Sequence, residues 1–193
     1  PNLAETMPKK LVAHTGMDAM THAIEAYVST AHCDYTDPLA IFAIRMIQGD
    51  LVDSYNGDRA KRDSMHNAQC LAGMAFSNAL LGIAHSLAHK TGAIFHIPHG
   101  CCNAILLPSV IQFNSRVCMS RYAQIARALG LPGATDKQLT DSLVEAVRAM
   151  NAKLGIAQTY QANGVSEEDF KAHCQAIAHN AVLDPCTASN PRP

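Results

Sequence analysis

The chain has no tryptophan and only 5% aromatic residues, so it offers few of the ring platforms on which single-stranded nucleic acids stack. It has no excess of charge: 15 basic side chains face 16 acidic ones, for a formal net charge of -1. That balance excludes strong attraction to nucleic acid or to an anionic membrane surface. No apolar run approaches bilayer length, and no signal peptide is visible. There is no CxxC pair among the seven cysteines, Cys33, Cys70, Cys101, Cys102, Cys118, Cys174 and Cys186, and their number is odd. Most lie in apolar, helix-like stretches, which predicts buried thiols in a reducing cytoplasm. No GxGxxG, no glycine run after a strand and no βαβ pattern occurs, so these residues lack most of a dinucleotide cradle.

What is present is helix after helix. The 193 residues are 48% hydrophobic, enough for a packed core and too apolar for disorder. The pattern predicts a helix from Met7 to Val28, interrupted or bent near Thr15-Gly16. A second starts at Asp37-Pro38, with the acid as cap and an apolar stripe of Leu39, Phe42, Ala43, Met46 and Ile47, and lasts to about Tyr55. Ala60 to Gly92 reads as two helices or one bent one. Gly100–Asn114 reads as a helix that Pro108 bends or ends, and Arg116–Leu129 as a separate short helix. Thr135-Asp136 opens another, with Leu139, Leu143, Val144, Val147, Met150 and Leu154 on one face, and Ser166 caps the last, which runs to about His179. No stretch alternates long enough to be a strand. The expected fold class is all-α, residues 1–193 forming one helical domain. The start at Pro1, without Met, and the loop-like end Asn190-Pro191-Arg192-Pro193 suggest a piece of a longer protein, or an engineered start.

The chemistry is concentrated in two places. Asp18 and His22 are four residues apart, one above the other on a helix face. His85, His89, His96 and His99 lie within fifteen residues. On one straight helix His85 and His99 would stand about 21 Å apart. Ile97-Pro98 breaks that helix, and a new one starting there would point His99 back at His85. Asp18, His22, His85 and His99, from three elements, then make a candidate clamp for Fe(II) or Zn(II) with a coordination position left open. His89, one turn beyond His85, lies one layer outside the ion. His14, His32, His66, His173 and His179 are read as ordinary surface or packing residues.

Thr15-Gly16-Met17-Asp18-Ala19-Met20-Thr21-His22-Ala23-Ile24-Glu25-Ala26-Tyr27 resembles one signature of the iron-containing (group III) alcohol dehydrogenases. Gly82-Ile83-Ala84-His85-Ser86-Leu87-Ala88-His89, continuing through His96-Ile97-Pro98-His99-Gly100 to Asn103-Ala104-Ile105-Leu106-Leu107-Pro108, resembles the other. The resemblance runs nearly the length of the chain, to Cys186-Thr187 and Asn190-Pro191-Arg192. It implies metal ligands at Asp18, His22, His85 and His99, a proton-relay or orienting role for His89, and pocket-wall positions for Phe76 and Cys186. It implies Fe(II), with Zn(II) as the alternative, and NAD or NADP bound mainly by an N-terminal half that these residues do not contain. A small primary alcohol or diol and its aldehyde would be the substrates, and the intact protein would be a homo-oligomer. This stretch alone would not turn over. A glycerol dehydrogenase or dehydroquinate synthase type with Zn is the alternative within the superfamily. A metal-dependent phosphohydrolase would need an adjacent His-Asp pair, which is absent. A non-catalytic helical metal-binding module is the alternative outside enzymes.

Overall fold

A computed structural model describes residues 2–193. Among these stand seven α-helices and no strand: α1 (Lys9–Val28), α2 (Thr36–Asn56), α3 (Arg59–Ala79), α4 (Ile83–Phe95), α5 (His99–Ala128), α6 (Asp136–Lys153) and α7 (Glu167–Val182). The all-α expectation holds.

Helix α1 is the hub. From Met17 to Val28 it is buried almost all round, being packed on several sides, and it touches α2, α3 and α5. It starts at Lys9 behind Pro8 and is not interrupted at Thr15-Gly16. Gly16 serves close packing instead: a Cβ there would lie 2.2 Å from Leu51 Cδ1. Thr15 stays helical by bonding its hydroxyl to the Leu11 carbonyl at 2.8 Å.

Helix α2 begins two residues earlier than expected, and Asp37 lies inside its first turn rather than capping it. There it pairs with Arg121, whose guanidinium reaches Asp37 Oδ1 at 2.7 Å and Oδ2 at 2.8 Å. The buried stripe is Ala40, Ala43, Ile44, Ile47 and Leu51. Phe42 is 55% exposed, because the face turned to α1 is rotated by about one residue from the expected stripe. Gly57, at φ +106°, closes the helix by a left-handed step, the conformation that favours glycine.

Helices α3 and α4 are separate, meeting at 107° across Leu80-Leu81-Gly82. The two expected helices after Pro98 are one, α5, with a local kink at Cys118 (φ -131°, ψ 36°). Pro108 neither ends nor breaks it. Proline has no N–H for the carbonyl four residues back, and the side chain of Asn151 on α6 supplies the missing donor to Ala104 O at 2.7 Å. Helix α6 opens with a capping box, Thr135 and Gln138 each bonding the other's backbone, and buries Leu139, Leu143, Val144, Val147 and Met150. Leu154 is buried just beyond. Ser166 caps α7, which extends to Val182.

Cysteine placement departs from expectation. Cys101 and Cys102 are buried and Cys118 and Cys186 half-buried, whereas Cys33 is exposed in the connection between α1 and α2, and Cys70 and Cys174 are exposed on outward helix faces. Among the described residues no single helix is long and apolar enough to cross a membrane.

Candidate metal centre

Three helices bring the chemistry-bearing side chains together. Helix α1 stacks Asp18 and His22 on one face, α4 carries His85 and His89, and His99 is the first residue of α5. The reversal between α4 and α5 runs through His96, left-handed at φ 54°, and an extended Pro98. His96 is exposed and takes no part.

Asp18 is the node. Its Oδ1 lies 3.4 Å from His99 Nε2 and 3.9 Å from His85 Nε2, and its Oδ2 lies 3.9 Å from His22 Nδ1. The His22 and His85 rings stack at 4.5 Å, and His85 and His99 approach to 5.4 Å. Asn103, one turn along α5 from His99, donates from Nδ2 to Asp18 Oδ1 at 2.7 Å and faces His99 Nε2 at 3.1 Å.

The donor set fits a divalent metal. Two nitrogens aimed inward, His85 Nε2 and His22 Nδ1, are buried without a hydrogen-bond partner. Orphaned polar atoms of this kind cost about 1–3 kcal/mol each, so they are rare without a reason. Donors around a tetrahedral ion with bonds near 2.1 Å stand about 3.4 Å apart, and the observed 3.4–3.9 Å separations lie close to that spacing. One hard carboxylate with three imidazoles suits Fe(II) or Zn(II).

Burial first, then the neighbouring His85, push the His22 imidazole down to about 4, against the pull of Asp18 and Glu25. Burial likewise lowers His99, again against Asp18. Both rings are therefore held neutral, as a ligating imidazole must be. The unfolded chain, with His22 at its ordinary 6.5, binds more protons than the folded one between pH 6.5 and about 4. Metal-free protein should therefore keep its full His22 contribution above pH 6.5 and lose stability as the pH falls through that window. Urea midpoints measured across it check this; a midpoint that climbs on acidification would refute it.

Behind His85 stands Glu25, 2% exposed. Its Oε2 lies 2.6 Å from His85 Nδ1, and its carboxylate also accepts the amides of Gly82 at 3.0 Å and Ala84 at 2.7 Å. His89 lies beyond the four donors, stacked on His99 at 5.3 Å, with Nδ1 3.0 Å from Asp184 Oδ2. Burial works to raise Asp184, but hydrogen bonds from Lys90, the Cys186 amide and His89 outweigh it and hold the carboxyl well below the usual range. His89, Asp184 and Cys186 form a second close donor group. Its carboxylate is already neutralised by the Lys90 ammonium at 2.8 Å. Burial, then Asp184, push the Cys186 thiol up to about 11, so it remains a neutral thiol rather than a thiolate ligand. Phe76 stacks flat on His22 at 4.4 Å.

Sequence reasoning missed Glu25, Asn103 and Asp184. The signals existed for two of them: Glu25 follows His22 by one turn inside an apolar run, and Asn103 follows His99 by one turn. Nothing local marks Asp184 as the partner of a histidine ninety-five residues away.

An all-helical domain in which three packed helices gather one carboxylate and three imidazoles is the class that fold and site define. Residues 12–193 match the Fe-containing alcohol dehydrogenase family, C-terminal, and the chain belongs to that family. It is 60% identical over 190 residues to the NADPH-dependent butanol dehydrogenase of Clostridium saccharobutylicum, covering 98% of this chain and 49% of that protein. It is 44% identical to an aldehyde-alcohol dehydrogenase of Streptococcus pneumoniae, covering all of this chain and 23% of that protein. The alcohol dehydrogenase of Oenococcus oeni superposes with a TM-score of 0.94 at 36% identity, covering 100% of this chain and 50% of that structure. The chain thus spans about half the length of the butanol dehydrogenase and about a quarter of the aldehyde-alcohol dehydrogenase.

Proposed function

We propose that this chain is the metal-holding catalytic domain of an NAD(P)-dependent alcohol dehydrogenase that interconverts a small primary alcohol or diol and its aldehyde. Asp18, His22, His85 and His99 would hold a divalent ion, Fe(II) or in its place Zn(II). The observation that carries the reading is the convergence of Asp18, His22 and His85, whose donor atoms lie within 4.8 Å of one another, with His99 Nε2 3.4 Å from Asp18 and His85 Nε2 buried and unpartnered. The names of the relatives, butanol and aldehyde-alcohol dehydrogenases, support the substrate class.

The ion supplies Lewis-acid polarisation of a substrate oxygen. The chain's own residues do the rest. His99 is 41% exposed at its side chain, which opens the centre to the cleft on the side of His89. Phe76, stacked on His22, and Cys186, a neutral thiol, would serve as pocket walls, a setting for a short carbon chain. Oxidation of an alcohol releases a proton. His89 is placed to carry it outward, being stacked on His99, 41% exposed, and oriented through Nδ1 by Asp184. The dinucleotide would be bound mainly by the half of the protein outside these residues.

His89→Ala should leave the metal content unchanged and slow turnover of the full-length enzyme by about 10²–10⁴-fold, the usual contribution of a positioned acid–base group. Unchanged turnover would remove His89 from the proton path. The reading as a whole is checked by metal analysis and NAD(P)-linked oxidation of short primary alcohols, using full-length protein purified without oxygen. Metal-independent activity, or protein that takes up no divalent metal, would sink it.

A further inference from the structure

Given the metal centre proposed above, we infer that Glu25 is the residue that aims His85 at the ion, by fixing which ring nitrogen carries the proton. A carboxylate has only lone pairs to offer, so His85 Nδ1, 2.6 Å from Glu25 Oε2, is the donor in that contact. The other nitrogen, Nε2, is then left with its lone pair free. It is this nitrogen that is buried, partnerless and 3.9 Å from Asp18 Oδ1. Carboxylates behind ligating imidazoles hold ring and tautomer in this way.

Glu25 is itself held from both sides. It sits on α1 one turn from His22, and its oxygens also accept the Gly82 and Ala84 amides at the start of α4. One side chain therefore fixes the helix that carries His85 and the ring of His85 together. Gly82 makes the approach possible: a Cβ there would lie 2.8 Å from Glu25 Oε1. The intervening amide, Ile83, is taken by Asn190 Oδ1 at 3.2 Å, which caps the same helix without touching the ring. Charge points the same way. Asp18 and Glu25 together balance a dication, which lowers the cost of placing it among buried groups.

Glu25→Gln keeps the shape and fails in either orientation. With its oxygen on the Ala84 amide, its NH₂ donates to His85 Nδ1 and moves the ring proton to Nε2. With its oxygen on His85, its NH₂ faces the Ala84 amide, donor against donor. The test is a Zn²⁺ titration of the protein against a competing chelator, with Glu25→Gln beside Asn190→Ala. Glu25→Gln should bind Zn²⁺ about 10–100-fold more weakly. Asn190→Ala, which loses a cap on the same helix, should lose stability while its folded fraction binds Zn²⁺ within about threefold of the parent protein. Equal loss in both variants would make Glu25 a helix cap only and overturn the inference, as would unweakened binding by Glu25→Gln. Failure of the parent protein to bind Zn²⁺ would instead remove the metal centre itself. Should Glu25→Gln not fold, the ring nitrogen shifts of His85 in the metal-free parent protein decide the matter. A proton on Nδ1 is expected; a proton on Nε2 overturns the inference.

Discussion

Asp18→Asn is expected to empty the centre of metal and to lower alcohol oxidation by full-length protein about a thousandfold or more. Asp18 is the only carboxylate among the four proposed ligands, and it is the one residue within 4 Å of all three imidazoles: 3.4 Å from His99, 3.9 Å from His85 and 3.9 Å from His22. The asparagine keeps the shape and removes the charge. Three neutral rings would then have to hold a dication with only Glu25, behind His85, as counter-charge. Lewis-acid stabilisation of a developing charge is worth several kcal/mol, and each 1.36 kcal/mol is tenfold in rate, so about 4 kcal/mol corresponds to a thousandfold. The fold should survive, because Asp18 is partly exposed and its backbone lies mid-helix in α1. Metal per chain by elemental analysis, far-ultraviolet circular dichroism and turnover are the three measurements. A variant that retains one metal per chain with native turnover would disprove the assignment of Asp18.

Gly100→Ala is expected to destabilise the protein by about 3 kcal/mol and to weaken metal binding with it, the upper end of what overpacking usually costs. A Cβ on Gly100 would lie 2.2 Å from the His14 carbonyl oxygen, 2.7 Å from its carbon and 3.2 Å from Asp18 Cβ. The obstacle is backbone, in the middle of the hub helix, and it cannot swing aside as a side chain can. Helices α1 and α5 must separate, and that separation pulls His99 away from Asp18. Two other glycines make the comparison sharp. Gly49 in α2 and Gly73 in α3 have nothing within 4 Å of a Cβ. Alanine there should stabilise by about 0.5–1 kcal/mol through lost chain entropy alone. Urea unfolding of the three variants, with and without metal, reads both effects. Gly100→Ala at native stability and native affinity would refute the tight-contact account.

Features that depend on neighbours within one helical turn were legible in the sequence. The placing of Asp18 and His22 on one helix face, the helix start at Thr135-Asp136, the cap at Ser166 and the apolar face of α6 read correctly. Features that depend on a distant partner read poorly. Pro108 looked like a helix breaker because the carbonyl it orphans is rescued from another helix, by Asn151. Gly16 looked like a bend because the side chain that demands it, Leu51, lies on α2. Phe42 looked buried because periodicity marks a stripe to within about one residue, and only the approach of α1 fixed which residues faced inward.

By itself, then, the sequence determined the helical class, the break at Ile97-Pro98 and the kinds of donor atom available, since periodicity, capping and ligand chemistry are properties of single residues and their near neighbours. The tertiary structure alone decided that His22 and His85 stack, that Glu25 stands behind one of them and Asp184 behind His89, and that His96 turns away. Those relations are fixed by where whole helices cross. Crossing is set by side chains interlocking across the core, for which no short stretch of chain carries the information.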